Sequence, residues 1–313
     1  MSGTAVVIVN WNGLADTREC LRSLGAVAGE WSHVIVVDNA SEDGSPAVLR
    51  GEFPWVDLIE AGANLGYAGG NNLGIRRARD AGADFVFVLN NDAAVVPGTI
   101  AELRSTIEND PRIGVAGPLV YRAGGKQDFW YAGGDLQERP FRVRERTDRS
   151  VLERDEPLDV GYVPGCALMM SRRMLDRIGL LDERFFLTWE DTDWSARVRA
   201  AGFRPVIAPR SRVHHVRSPS FQGFFSPLYA YYFIRNMLLF ARLHFAPTKR
   251  PRAYADALHY AWHVIRATPD ASRRRAVQAA AATALLHFLV GRWGPAPASM
   301  TDDARDQRLR DRS

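Results

Sequence analysis

Four polar clusters have the residue types and spacing that chemistry on a phosphorylated ligand would need. They are Asn10-Trp11-Asn12-Gly13, Asp38-Asn39-Ala40-Ser41-Glu42-Asp43-Gly44-Ser45, Asn64-Leu65-Gly66-Tyr67-Ala68-Gly69-Gly70-Asn71-Asn72 and Asn90-Asn91-Asp92. An acid such as Asp38, followed by small residues, can accept from a base N–H or a ribose hydroxyl while backbone amides come close to the ligand. A plainer reading of the first two clusters is a pair of Asn/Asp/Ser/Gly turns. The glycine-rich third cluster would open a helix and turn its amides towards an anion. It is neither GxGxxG nor GxxxxGK[ST], which removes the usual dinucleotide and P-loop readings. In the fourth, two amides and a carboxylate offer oxygen ligands to a hard cation that bridges to a pyrophosphate, with Asp92 the foremost ligand. The competing role for Asp92 is a turn aspartate ahead of Pro97.

A later acidic run, Thr188-Trp189-Glu190-Asp191-Thr192-Asp193-Trp194, leads into a helix whose Trp194, Val198 and Ala201 share one face and which Gly202 should stop. A carboxylate at that helix start, Asp191 or alternatively Glu190, could serve as general base for an acceptor hydroxyl. Acids in a first turn are also favoured by the helix dipole, and Thr188 with Asp191 has the spacing of a capping box. Further on, one imidazole of His214-His215 could add a metal ligand, and the pair leaves open which of them acts.

These residues need a frame that gathers them. Continuous apolar runs at Ala5–Val9, Val34–Val37, Val56–Ile59, Phe85–Leu89 and Ile113–Ala116 read as strands buried on both faces. Helical patterns near 16–24, 46–51, 70–81 and 97–109 alternate with them, which predicts a doubly wound α/β sheet. Ligands then bind beyond the carboxyl ends of the strands, where the first, second and fourth polar clusters fall. From about Gly124 the alternation fails, and the arginine-rich Gln137–Ser150 stretch reads as a mobile loop. Strand-like segments return at 161–163, 167–170 and 205–208, and the chain is expected to be helical from Pro227 to about Val290.

Of the 313 residues, 46% are hydrophobic and 24% charged, which is globular composition. Cys20 and Cys166 are too few for a disulfide framework and lack zinc or redox spacing, so both are expected reduced in the core. The N-terminus has no basic segment ahead of its apolar run, which fails the pattern of a signal peptide and predicts a cytoplasmic protein. The apolar stretch 276–290 is too short to span a bilayer and carries Gln278, Thr283 and His287. A net charge of +4 suits nucleotide phosphates, lipid pyrophosphates or an acidic leaflet, and nucleic acid is not an expected partner.

Taken in order, seven stretches resemble the inverting glycosyltransferase family 2, particularly its bacterial rhamnosyltransferase-like branch. They are Val9–Gly13, Val37–Ser45, Asn64–Asn72, Leu89–Asp92, Pro164-Gly-Cys-Ala-Leu168, Trp189–Trp194 and Tyr231-Tyr-Phe-Ile-Arg-Asn236, and the likeness spans roughly residues 4–295. The resemblance implies a GT-A fold, a mixed Rossmann-like α/β sheet flanked by helices, here with a helical C-terminal extension. It implies a nucleotide-sugar donor, a Mn²⁺ or Mg²⁺ cofactor, and transfer with inversion to a glycan, lipid-linked or small-molecule acceptor. By the same resemblance Asp38 is the base- or ribose-binding acid, with Asn10, Asn64, Gly66, Asn90 and Asn91 beside it in the donor site. Asp92 corresponds to the last Asp of a DxD motif, Asp191 to the catalytic base and His215 to the late metal-binding His, with Ser220 following at the family's distance. Asn90 departs from the pattern, replacing the first Asp of DxD and removing one negative charge from the cation site.

The expected organisation is a catalytic domain over 1–225, with its nucleotide-sugar half at about 1–120 and acceptor half at about 121–225. A helical region follows over 226–295 and a charged tail over 296–313. The helices are expected to pack on the catalytic domain, cover the acceptor, make a homodimer contact or touch the inner face of the membrane peripherally. Two other functions compete. A sugar-nucleotide pyrophosphorylase would need a Gly- and Arg-rich phosphate loop after the first strand, which Asn10–Gly13 does not offer. A non-catalytic nucleotide-sugar-binding module draws support from Asn90 but leaves Asp92, Asp191 and His215 without a purpose.

Overall fold

In a computed structural model the chain describes residues 3–123, 128–215 and 226–300. It forms two compact units, one of residues 1–136, 143–182 and 190–217, the other of 137–142, 183–189 and 218–313.

The first unit opens as the apolar runs predict, with β1 (Thr4–Asn10), α1 (Leu14–Gly25), β2 (His33–Asp38), α2 (Ser45–Glu52), β3 (Asp57–Glu60), α3 (Gly66–Asp80) and β4 (Phe85–Leu89). Next come β5 (Ala93–Val95), α4 (Thr99–Asn109), β6 (Ile113–Arg122), β7 (Phe129–Tyr131), β8 (Gly134–Glu138), β9 (Phe141–Glu145), β10 (Leu158–Asp159), β11 (Ala167–Ser171), α5 (Arg172–Ile178), α6 (Glu190–Ala200) and β12 (Arg204–His215). The sheet order is β10-β12-β6-β11-β4-β1-β2-β3, with β5 on β12 and β7 on β6. Strands β4, β1, β2 and β3 are parallel, and β11 is antiparallel to both neighbours, so the sheet is mixed.

Alternation along β1 divides the core. Val6 and Ile8 face Leu21, Leu24, Leu49 and Leu103 of α1, α2 and α4. Ala5 and Val7 face Ala68, Ile75, Met174 and Val198 of α3, α5 and α6. The glycines of the third cluster have a packing role within this arrangement. Gly70 and Gly74 lie inside α3, and a Cβ added at Gly74 would sit 2.3 Å from Val7 Cγ1. Gly74→Val should therefore cost about 3 kcal/mol of stability by overpacking. Chemical denaturation would read this as a lowered midpoint, and an unchanged midpoint would mean that α3 does not lie this close to β1.

Three local expectations need correction. The 137–150 stretch is no mobile loop: β8 and β9 pair as a two-stranded sheet, and a 3₁₀ turn covers Arg149–Glu153. An ion pair between Arg146 and Asp135 at 2.7 Å stands where an apolar period would normally signal pairing. The strand expected at 161–163 is a single bridge, Tyr162 to Gly134, the nearby strand being β10. The last strand does not stop at Ala208 but continues through a bulge to His215.

The second unit contains α7 (Pro227–His244), α8 (Arg250–Ala267) and α9 (Ala271–Val290), with Pro247 between the first two and Pro269 between the last two. Its centre is the Tyr231–Asn236 stretch. Arg235 is fully buried between the rings of Tyr231 and Tyr232 and donates to Tyr231 Oη (3.0 Å) and the Gly294 carbonyl (2.8 Å). Asn236 Nδ2 donates to the carbonyls of Phe185, Leu187 and Thr188 at 2.6, 2.8 and 2.9 Å. These bonds hold a segment in which Phe186, Thr188 and Trp189 all take positive φ (59°, 67° and 72°), a conformation costly for side chains of this size.

Candidate active site

The sheet register brings the scattered polar residues of the first unit together. Strand β12 pairs antiparallel with β5 so that His215 lies opposite Ala93, the residue after Asp92. His215 Nε2 consequently sits 3.0 Å from Asp92 Oδ1 and 3.4 Å from Asn90 Nδ2. Trp130 stacks on the His215 ring, with centroids 5.8 Å apart. His214, one residue earlier, points to Tyr121. Ser220 lies outside the described residues.

Asp92 and His215 are both buried, and Asp92 Oδ2 and His215 Nδ1 have no hydrogen-bond partner. A buried carboxylate oxygen left unpaired is costly. A cation offers one way to satisfy it, and the carboxylate–imidazole donor set suits a divalent metal. Asn90 contributes an amide without charge. Among the described residues no group of three or more His, Cys, Asp or Glu side chains could hold a metal.

Strand β11 runs antiparallel to β4 with Ala167 opposite Leu89, so its start borders the end of β4, and Asn90 N donates to the Cys166 carbonyl at 2.9 Å. Gly165, next in the same turn, donates its N–H to Asp191 Oδ2 at 2.8 Å, while Tyr67 Oη donates to its carbonyl. A Cβ on Gly165 would lie 3.1 Å from Tyr67 Oη and 3.5 Å from Asp191 Cβ, so glycine permits this approach. Burial pushes the Tyr67 phenol well above its ordinary range, and the charges of Glu190, Asp191 and Asp92 push it further. Burial also raises the Cys166 thiol to about 12, with Asp92 and Asp191 adding and its bond with Tyr131 opposing. Asp92 and Asp191 thus act electrostatically on the same two side chains.

The two adjacent acids differ. Asp191 is half-buried, its Oδ1 accepting from Thr192 N at 2.6 Å. Burial raises its pKa above the ordinary aspartate value, and the Gly165 and Thr192 amides work against that rise. Glu190 is buried with Oε2 unpaired, and burial followed by the charge of Asp191 raises its pKa well above the ordinary glutamate value. Asp193 is buried against Arg197 at 2.9 Å and is structural. No capping box forms: Thr188 has positive φ and its hydroxyl is unpaired, while Asp191 is held by Gly165 and its own neighbour.

The donor-side residues form a network at the ends of β1 and β2. Asp38 accepts from Asn10 Nδ2 (2.8 Å) and Ser41 N (2.9 Å), while Asn10 Oδ1 accepts from Thr17 (2.8 Å), which also receives Asn91 Nδ2 (3.0 Å). Asn64 is exposed and accepts from Gly66 N at 2.9 Å, so that amide is engaged within the loop instead of being turned outward. Tyr67, Gly165, Cys166 and Trp130 were not singled out by sequence reasoning as site residues. The Pro164–Leu168 and Asn64–Asn72 stretches carried the only signal for three of them, and Trp130 had none.

Residues 5–179, more than half of the chain, match the model of the family described as glycosyl transferase family 2. The chain is 32% identical over 234 residues to an N-acetylglucosaminyl-diphospho-decaprenol L-rhamnosyltransferase of Mycobacterium tuberculosis, a match covering 69% of this chain and 76% of the relative. It is 25% identical over 238 residues to the dTDP-rhamnosyl transferase RfbF of Shigella flexneri, covering 72% and 78%. Among solved structures, GalNAc-T7 with UDP, GalNAc and Mn²⁺ superposes with a TM-score of 0.59 at 17% identity, over 82% of this chain and 55% of that one. The mannosyltransferase PcManGT of Pyrobaculum calidifontis, in complex with GDP-Man and Mn²⁺, gives 0.51 at 17% identity over 98% and 79%. These structures share the GT-A fold. Neither the pyrophosphorylase nor the non-catalytic reading is favoured by any of these relatives. Matched by the family over most of its sheet and by rhamnosyltransferases over about two thirds of its length, the chain belongs to glycosyl transferase family 2 and is a nucleotide-sugar-dependent glycosyltransferase.

Proposed function

We propose that the chain transfers L-rhamnose from dTDP-rhamnose to a hydroxyl of a lipid-linked glycan, with inversion at the anomeric carbon. The observation that carries the site assignment is the meeting of two acids at one end of the sheet: Asp92 against His215, and Asp191 held by the Gly165 amide. The printed activities of the two relatives support the donor sugar, and that of the mycobacterial relative supports the acceptor class.

In this reading Asp191 removes the proton from the attacking hydroxyl as its oxygen approaches the anomeric carbon from the face opposite the diphosphate. The Gly165 and Thr192 amides orient the Asp191 carboxylate and favour its ionised form against the cost of burial. Burial and the neighbouring Asp191 favour the neutral form of Glu190, which limits the negative charge beside the base. Asp38 and Asn10 hold the base or ribose of the donor. Asp92 and His215 are the residues that would hold Mn²⁺ or Mg²⁺, which when bound offsets negative charge on the departing diphosphate.

The test is turnover of a donor panel (dTDP-rhamnose, UDP-sugars and GDP-mannose) with Mn²⁺, Mg²⁺ or chelator and a diphospholipid-linked acceptor. Release of dTDP that depends on the acceptor is the expected result. Turnover of another donor in its place would overturn the rhamnose assignment and leave the site assignment standing.

A further inference from the structure

Helix α9 is apolar on nearly every side, yet it is only partly covered. Val277, Ala280, Ala281, Ala284, His287 and Phe288 are buried, while Ala279, Ala282, Leu286 and Leu289 recur at intervals of three and four along an exposed face. Leu286 is 56% exposed, Leu289 77% and the adjoining Val290 65%, and on α8 Leu258 and Trp262 are 47% and 48% exposed one turn apart. A helix apolar all round is normally buried, so this stripe of about 17 Å calls for a cover.

The charge distribution selects the cover. Residues 226–300 contain ten Arg or Lys (235, 242, 249, 250, 252, 266, 273, 274, 275 and 292) against two acids, Asp256 and Asp270, a balance of +8. Residues 301–313 carry four Arg and four Asp, so with +4 overall the first 225 residues sum to −4. Three of those arginines, 273–275, stand at the start of α9, and Arg292 follows its end, so basic residues bracket the apolar face along the chain. A second copy docking here would bring together two segments of the same positive net charge, which opposes self-association. Residues 301–313 cannot supply an apolar cover, since Leu309 is their only large apolar side chain.

We infer that the exposed face of α9, with Leu258 and Trp262 of α8, rests on the anionic surface of a lipid bilayer. The leucines and Val290 enter the headgroup boundary while the exposed Arg275 and Arg292, beyond the two ends of the apolar face, meet lipid phosphates; Arg274 is engaged on the Thr268 and Pro269 carbonyls. Among the described residues no helix is long and apolar enough to cross a membrane, so the contact is a surface one. This inference stands independently of the donor and acceptor chemistry proposed above.

Flotation of the full chain with vesicles tests it, comparing phosphatidylcholine alone with phosphatidylcholine containing about 30% phosphatidylglycerol. Flotation with the anionic vesicles, weaker by roughly tenfold with the neutral ones, is expected, and the Leu286→Asp/Leu289→Asp double variant should lose binding by about tenfold or more. Both side chains are exposed, so the variant should keep the wild-type melting temperature and its turnover of a soluble acceptor. Equal flotation of variant and wild type, or no flotation of the wild type with either vesicle, would overturn the inference. So would a wild-type dimer in light scattering that the double variant converts to monomer without any vesicle binding, since the face would then belong to a second copy.

Discussion

Asp191→Asn is expected to lower kcat on the order of a thousandfold while leaving donor KM within about threefold, because it removes a proton acceptor and keeps the shape of the side chain. Glu190→Gln, one residue away, should change kcat by less than about tenfold, since burial and the neighbouring Asp191 favour the neutral carboxyl, which glutamine matches in size and charge. The pair decides between two neighbouring acids, and a reversed pattern would hand the role of base to Glu190. The pH profile follows from the same environment. Burial raises the Asp191 pKa, so the acid limb of kcat/KM should lie at higher pH than an ordinary aspartate would give, with activity lost as pH falls through it. For stability the sign runs the other way. Glu190, also raised, favours the fold while protonated, so this contribution is present below the ordinary glutamate pKa and is lost as pH rises through the folded value. Glu190→Gln should therefore flatten the decline in stability at higher pH, which denaturation across a pH series would detect.

Removing the Asp92 carboxylate should have the second largest effect. Asp92→Ala is expected to reduce kcat/KM on the order of a thousandfold and to abolish the response of the residual activity to added Mn²⁺. Asp92 is buried and its Oδ2 has no hydrogen-bond partner, whereas a role merely in anchoring a turn would leave it bonded to backbone amides. The deletion also frees His215 Nε2 from its 3.0 Å contact, so metal affinity should fall without loss of the fold. Titration of Mn²⁺ by electron paramagnetic resonance separates the two, and a variant that binds Mn²⁺ as tightly as the wild type would take Asp92 out of the cation site.

How much of this was legible in the sequence depends on whether a residue's role was local. The runs that became β1, β2 and β4 are buried on both faces and therefore continuously apolar, so they read as strands directly. Strand β12 was legible only to Ala208, because past its bulge Arg210 and Arg212 are directed outward and break the apolar run. The β8–β9 hairpin buries little beyond Gly134 and Phe141, and the Arg146–Asp135 ion pair beside it carries no periodic signal. For the site, the residue types and strand ends gave Asp38, Asp92 and Asp191 as candidates. The choice of His215 over His214 required the register with Ala93, and the amide that holds Asp191 comes from Gly165, 26 residues earlier. The third cluster looked like an anion cradle because helix–sheet contact and phosphate contact both select glycine.

The clamp on residues 183–189 bears on how the chain is made. Asn236 and Arg235 lie about 50 residues beyond the carbonyls they hold, and Arg235 waits for Gly294 and Tyr232 for Ala296, another 59 and 64 residues on. A chain emerging from the ribosome therefore leaves this turn, with three residues at unfavourable backbone angles, without its Asn236 bonds until α7 has been made and without the full Arg235 and Tyr232 anchoring until residues 294–296 follow. The sequence just before Glu190 and Asp191 reaches its final form late, so a nascent fragment ending before α7 would contain both acids without the bonds that fix the turn leading into them.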